Sequence, residues 1–401
     1  MRRAAADRLL SPGREARGAG LGAGFGGGLG AGVGARTAAA YLALIVYQLV
    51  MALWAVFGSR MLNSEAAVPL ATFLLGRHLV SSSVLGCAAC WLYGRRSLVP
   101  QRGDVPAIAL AGVLAQWASP VFYLWALRHL PATISAIFDG PLIPVFVYVM
   151  AVALGVEVLP TGARQRLSVL LALVLSCGGA AIIIAAPSAA GSPSGGAEGE
   201  GEGAEMGGVR ALALLALLVE ALALALSLIV QKPLATKYPL FAFACWMSLS
   251  GLVSIAVQAV VVEELGLLGC LELLVHMMRT SRPFLIATLY NALGISVVNA
   301  LCSAFANSLL PSSLVALAAC LQPVFTLMLD VAAFGAPLHL EHVAGLVAVG
   351  LGIRMFTRNS PPPGAATSTA AAAAAAAATT AGALVVPADE AGEYEEMPSK
   401  A

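Results

Sequence analysis

From Pro283-Phe284-Leu285-Ile286 to Leu327-Met328-Leu329, between Arg282 and Asp330, the chain runs for 47 residues without one Asp, Glu, Lys or Arg. A helix crossing a bilayer needs about 20 apolar residues. This stretch therefore holds one crossing and most of a second, joined by a tight turn at Leu310-Pro311. Charge-free stretches of 23 residues each, Thr37 to Ser59 and Val105 to Leu127, supply further crossings. Over all 401 residues 59% are apolar, 11% are charged and the mean hydropathy is +0.88. So few charges cannot clothe a water-soluble domain, and the solvent of this chain is lipid.

The same reading predicts an all-α polytopic membrane protein of about ten transmembrane helices, at 37–59, 66–93, 105–127, 131–154, 167–187, 211–231, 239–262, 283–308, 312–334 and 341–357. The last is the weakest. Only twelve residues separate Glu341 from Arg354, so that helix crosses only with snorkelling ends or a thinned bilayer, and a nine-span reading stands beside it. Five spans fall in 37–187 and five in 209–358. Residues 1–36 are basic and Gly/Ala-rich, and 359–401 are Pro/Ala-rich with an acidic finish, so composition predicts disorder in both tails. Residues 188–208, with Glu198, Glu200, Glu202 and Glu205, read as a flexible acidic linker. The segment from Glu263 to Arg282 reads as an interfacial amphipathic helix through Leu267, Leu271 and Leu274.

Several function classes drop out. A net charge of +1 gives no basic footprint for nucleic acid. The seven cysteines are scattered through apolar segments; they are no disulfide framework, and Cys87 and Cys90 read as packing residues. The sequence contains no GxSxG and no HExxH, so no enzyme and no cofactor are expected. His339, Glu341 and His342 lack a further ligand, and no metal is expected there. A GxGxxG near Phe25 follows no strand and carries no phosphate-site argument.

Positively charged loops stay cytoplasmic. With the N-terminus inside, the inner segments hold six arginines before the first span, then Arg95, Arg96, Arg102, Arg164, Arg166, Lys232, Lys237, Arg354 and Arg358. The outer ones hold Arg60, Arg128, Arg210, Arg279 and Arg282. Both termini are thus expected in the cytoplasm. An Arg-rich start also suits an organellar transit peptide, but Ser11 is the only serine in it. Which membrane holds the protein is left open among plasma membrane, endomembrane and plastid.

An internal repeat is visible. Leu130-Pro131-Ala132-Thr133-Ile134-Ser135-Ala136 matches Leu310-Pro311-Ser312-Ser313-Leu314-Val315-Ala316, 180 residues later, and each is followed by Pro-Val-Phe, at Pro144 and Pro323. The spacing to that tripeptide differs by one residue, which a loosening of one helix would absorb. Arg60 and Lys232 fall in step after the first helix of each half. Five spans per half make the second copy inverted, the arrangement that underlies alternating access.

On these residues the chain resembles the EamA, or drug/metabolite transporter, superfamily. The carriers are Phe122-Tyr123-Leu124-Trp125-Ala126-Leu127 with the segment from Leu130, Pro144-Val145-Phe146 and Gly155-Val156-Glu157, then Leu310 to Ala316, Pro323-Val324-Phe325, Gly335 and Glu341 to Gly345. The resemblance covers roughly 37–358 and implies two inverted five-helix repeats, cytoplasmic termini and transport of a small organic solute. The family's Gly-Glu after the fourth and ninth helices is broken by Val156 in the first copy and replaced by Gly335-Ala336 in the second. Gly76-Arg77-His78 is similar to the Tyr-Arg-His of plant nodulin-like members, which implies amino acids or related metabolites.

A charge inside a bilayer costs about 2.5–3.5 kcal/mol on insertion scales, which makes such residues functional candidates. Arg77, Asp139 and Glu220 fall near the midplane on three different helices and are expected to share a cavity. There Arg77 would hold an anionic group, and Asp139 or Glu220 would carry a coupling proton or bind an amine. An internal ion pair that only sets helix register is the rival. Asp330 lies near a helix end, where it would snorkel. Pro141, Pro144 and Pro323 free backbone carbonyls and allow bending. Among Gln116, Asn291, Asn299, Asn307 and Gln322, the residues expected to line the cavity are Asn299 and Gln322, with interhelical glue as their rival role. Trp54 and Trp117 read as cavity or packing aromatics. The expectation is a secondary transporter of a small metabolite. A nucleotide-sugar or sugar-phosphate exchanger stands second, and a non-transporting scaffold or receptor is the reading from another class.

Overall fold

The computed structural model describes residues 28–55, 69–130, 138–157, 162–186, 205–263, 266–335 and 337–359. All regular elements among them are helical. The ten principal helices are α1 (Gly28–Leu53), α2 (Leu70–Tyr93), α3 (Arg102–Leu127), α4 (Phe138–Leu142 continuing through Ile143–Ala153), α5 (Ala163–Ala185), α6 (Glu205–Lys237), α7 (Leu240–Val261), α8 (Arg282–Leu309), α9 (Ser312–Leu317 continuing to Gln322–Phe334) and α10 (Leu340–Asn359). Nine of them are long and apolar enough to cross a membrane, and the described apolar part of α4 is shorter, Gly140–Ala153. The first copy of the Leu-Pro motif, apart from Leu130, lies outside the described residues, as do the acidic linker up to Glu205, residues 1–27, Arg60 and the tail from Ser360.

Boundaries differ from the sequence reading most clearly in four places, the first being the start of α6 at Glu205, inside the stretch expected as a flexible linker. Helix α1 begins at Gly28, inside the stretch expected as a tail, and ends at Leu53. Helix α6 runs through Lys237, so Lys232 sits inside a helix and is buried rather than following one. Helix α10, expected to be the weakest span, is 20 residues long. Glu341 in its first turn, near the positive end of the dipole, and Arg358 in its last fall where a helix favours them, and Arg354 lies inside the helix rather than beyond its end.

Prolines set several helix starts. Pro69, Pro239 and Pro311 stand just before α2, α7 and α9, where their fixed φ and missing N–H cost nothing. The Leu310-Pro311 turn is as tight as expected: α8 ends at Leu309 and α9 begins at Ser312.

Two helices depart from α geometry at their middles. A π-helical turn occupies Val113–Ala118 in α3, and another occupies Asn291–Val298 in α8. In α4 the turn Phe138–Leu142 is π-helical, whereas in α9 the turn Ala318–Leu321 is a tighter 3-10 turn. One loosened and one tightened turn account for the extra residue between the Leu-Pro and Pro-Val-Phe motifs of the first copy.

The main packed pairs are α2 with α7, α4 with α9 and α5 with α10, then α1 with α8 and α3 with α6, α1 with α9 and α4 with α6, and α2 with α8 and α3 with α7. Helices α5 and α10 meet backbone to backbone. A Cβ on Gly179 would lie 2.7 Å from the Gly345 carbonyl oxygen, and one on Gly352 would lie 2.7 Å from that of Ala172. Small residues here replace the hydrophobic drive that lipid cannot supply. Between α7 and α8 a surface helix, Gly266–Thr280, lays Leu267, Cys270, Leu271 and Leu274 against the bundle and leaves Leu268 and Glu272 outward, as its leucine spacing predicts.

Candidate functional site

Polar side chains buried in the bundle centre on Arg77. Helix α2 carries it seven residues in from its start at Leu70, and it is 7% exposed. Its Nε donates to Ser296 Oγ at 2.5 Å and its Nη2 to Gln116 Oε1 at 3.2 Å. Both acceptors lie in the π-helical turns of α8 and α3. Extra residues in those turns rotate polar side chains inward, a recurring use of π-bulges. Tyr47 of α1 is an electrostatic neighbour of the guanidinium.

The adjacent His78, fully buried, donates from Nε2 to the Gln116 carbonyl oxygen at 2.9 Å. It and Gln116 press against α7 at Gly251, where a Cβ would lie 2.6 Å from Gln116 Cβ and 3.0 Å from His78 Cε1. One turn further along α2, Ser81 shares a 2.7 Å hydrogen bond with Ser248 of α7. Four helices therefore hold Arg77 in place.

Glu220 of α6 is 1% exposed and accepts a 3.0 Å hydrogen bond at Oε1 from Ser119 of α3. Arg77 and Glu220 are thus both joined to α3, through Gln116 and Ser119, three residues apart. The side chain of Asp139 lies outside the described residues; its backbone is in the π-helical turn of α4, which packs on α6. The described partners of Arg77 are neutral. Lys237 forms an ion pair with Asp104 at a helix end.

The other sequence candidates are spread. Asn299, at the start of the α-helical segment following the α8 π-turn, is 2% exposed. Gln322 is only half-buried, in α9, as is Asp330. Pro141 sits within the α4 π-turn, and Pro144 and Pro323 each sit in the first turn of the α-helical segment that follows an irregular one. Asn307 ties α8 to α6 by donating to the Leu228 carbonyl oxygen at 2.8 Å, an interhelical role. His342 Nδ1 accepts from the His339 backbone N–H at 3.1 Å, closing the start of α10. Trp54 stacks between Phe73 and Tyr290, with centroids 6.2 and 6.1 Å away, and Trp117 Nε1 donates to Gln258 Oε1 at 2.8 Å.

Sequence reasoning missed Gln48, His78, Ser119 and Ser296. For Gln48 a signal existed: it is a lone amide at the middle of the charge-free stretch 37–59. For the serines there was none, because hydroxyls are ordinary in apolar helices.

Nine membrane-length apolar helices among the described residues, with a buried polar network between them, make this an integral multi-pass membrane protein. No protein-family model and no curated protein matches the chain. A solved structure described only as "Crystal structure of protein" is similar, with a TM-score of 0.56, 13% identity, and coverage of 81% of this chain and 98% of that one. At that identity the likeness concerns the fold alone.

Proposed function

We propose that this protein is a secondary transporter of the EamA type, built as two inverted five-helix repeats, which moves a small organic metabolite by alternating access around Arg77. The observation that carries this reading is the pairing scheme. Exchanging α1–α5 with α6–α10 turns the main pairs into one another: α1 with α8 becomes α6 with α3, α1 with α9 becomes α6 with α4, and α2 with α7 maps onto itself. The irregular turns of α3 and α8, and of α4 and α9, fall at matching places. A repeat of this kind can form two similar conformations of opposite sidedness, with the site between halves. Arg77, bridging α2 of one half to α8 of the other, sits where such a site belongs. The termini are cytoplasmic in this reading, and Glu220 or Asp139 is the candidate for a coupling proton.

Counterflow in proteoliposomes tests it. A carrier preloaded with its solute accelerates uptake of the labelled form, whereas a scaffold or receptor does not. Arg77→Gln is expected to abolish counterflow of an amino acid or organic acid while the protein still elutes as a folded peak. Unchanged kinetics in that variant would sink the site. Counterflow confined to sugar phosphates or nucleotide sugars would install the exchanger in its place.

A further inference from the structure

Two buried amides near Arg77 have no hydrogen-bond partner among the described residues. Gln48 of α1 is fully buried and neither its Oε1 nor its Nε2 is bonded; Asn299 of α8 is 2% exposed and neither its Oδ1 nor its Nδ2 is bonded. The two helices are held in register by the Tyr290 hydroxyl donating to the Val50 carbonyl oxygen at 2.7 Å. Both amides lie close in sequence to residues of the Arg77 network, on two helices that pack against each other. Gln48 follows Tyr47, the electrostatic neighbour of the guanidinium, and Asn299 lies three residues after Ser296, its acceptor.

Single hydroxyls at Thr72, Ser176 and Thr288 are unbonded too, but among the described residues an amide with both its oxygen and its nitrogen unbonded occurs at these two positions. Elsewhere the interior amides are used: Gln116 by Arg77, Gln258 by Trp117, and Asn307 by both the Leu228 carbonyl and Ser312. The partly unpartnered Asn291, with its Oδ1 unbonded, is on α8 as well. Burying a polar group without a partner is unfavourable, and an amide leaves both a donor and an acceptor unpaired. Such a pair is kept where a ligand completes it. Arg77 meanwhile uses two of its five N–H donors on Ser296 and Gln116, which leaves donors for an anion.

We infer that Gln48 and Asn299 form a second subsite beside Arg77 that takes a neutral group able both to donate and to accept. The cargo is then a small organic acid that also carries a hydroxyl or a carboxamide. The carboxylate goes to Arg77, and the neutral group goes between α1 and α8. This rests on the transport reading, and it narrows the substrate class from small metabolites to hydroxy or amido acids.

The test is ligand-dependent thermal stabilisation of the purified full-length chain, backed by counterflow, with butyrate, 4-hydroxybutyrate, succinamate and the acid-free butyramide. The wild type is expected to bind 4-hydroxybutyrate or succinamate at least about tenfold more tightly than butyrate, and butyramide weakly. In Gln48→Met/Asn299→Leu the acids should bind alike, and the ligand-free protein should melt no lower than wild type because the unpaired amides are gone. If the double variant does not fold, Asn299→Leu alone must reduce the preference. A preference that survives the substitutions, or a wild type that binds butyrate as well as succinamate, overturns the subsite and leaves the amides as hydrated packing residues. Binding of none of the acids, with no counterflow of any solute, overturns the carrier reading and the subsite with it.

Discussion

Helices α4 and α9 end in the same backbone conformation and different chemistry. Gly155 has φ 67° and Gly335 has φ 65°, the left-handed geometry that glycine adopts without strain. After Gly155 comes Val156-Glu157, and Glu157 clamps the start of α9: Oε1 accepts from the Ser313 backbone N–H at 3.0 Å and Oε2 from Ser313 Oγ at 2.5 Å. After Gly335 comes Ala336, which has no carboxylate to offer. In the same corner as Glu157, the buried Lys232 donates to the Leu310 carbonyl oxygen at 3.0 Å. Another part of the bundle, around Trp54, Phe73, Phe284 and Tyr290, is closed by aromatic contacts and by the surface helix Gly266–Thr280. The connection at the corresponding place in the first half, between α2 and α3, has only short 3-10 turns. The left-handed glycine after α4 thus has a counterpart after α9, while the carboxylate beside it and the surface helix do not. The clamp at Glu157 is held by charge and the aromatic region by apolar area, so the two should answer to different perturbations.

The largest effect is expected where α5 and α10 meet backbone to backbone. Gly352→Leu forces a side chain into Ala172 and Ser176, and Gly345→Leu forces one into Gly179 and Ile183. Overpacking at a helix contact with no room to yield costs about 3 kcal/mol. Both variants should lose the monodisperse folded peak on size-exclusion chromatography. Gly350 and Gly178, on the same two helices with nothing within 4 Å of an added Cβ, should accept alanine with no loss. Tolerance of leucine at Gly352 would mean that α5 and α10 do not meet backbone to backbone.

Next comes the clamp itself. Glu157→Gln keeps the shape and removes the charge, and hydrogen bonds to a charged group are worth roughly 1.5–3 kcal/mol. Amide exchange at Ser313 and Leu314 should rise at least tenfold while exchange in the first turns of α2 stays as it was. Trp54→Leu should do the reverse by a smaller margin, since each aromatic pair adds about 0.5–1.5 kcal/mol beyond its area. If either variant loosens both regions equally, the bundle opens as one body and the comparison between them fails.

What the sequence disclosed follows the same division. Spans were legible because lipid forbids charge, and the α8–α9 turn was legible because Leu310-Pro311 interrupts a run with no other break. Charge counting took Arg354 as the bound of a short α10 and Lys232 as the end of α6, yet both charges lie inside helices, and Lys232 is bonded to a carbonyl. Arg77 stood out as an intramembrane charge and Gln116 as a polar residue in an apolar helix, but nothing in the sequence joined Gln116 or Ser296 to Arg77. Gln116 and Ser296 both lie in π-helical turns, which shift the helical phase, and a pattern with a fixed period cannot see such a shift. Gln48 was marked in the sequence as a lone amide amid apolar residues, but its burial without a described partner is a property of the fold.

The smallest effect separates two charged contacts. Asp104 accepts from Lys237 Nζ at 2.5 Å and from the Tyr238 hydroxyl, joining the start of α3 to the end of α6. Burial, and then the hydrogen bond to Asp104, push the Tyr238 phenol above its ordinary value, so it remains a donor at neutral pH. The Lys237 side chain is 42% exposed, however, and pairs so open to water contribute about 0.2–1 kcal/mol and are screened by salt. Asp104→Asn should therefore lower the melting temperature by no more than a degree or two, a difference that 0.5 M salt, roughly a 4 Å screening length, removes. Glu157, half-buried against a helix N-terminus, is bonded to a backbone N–H as well as a hydroxyl. Its loss should remain visible at the same salt. If salt erased both deficits, Glu157 would be an ordinary surface contact, and the charge asymmetry between the halves would hold nothing in place.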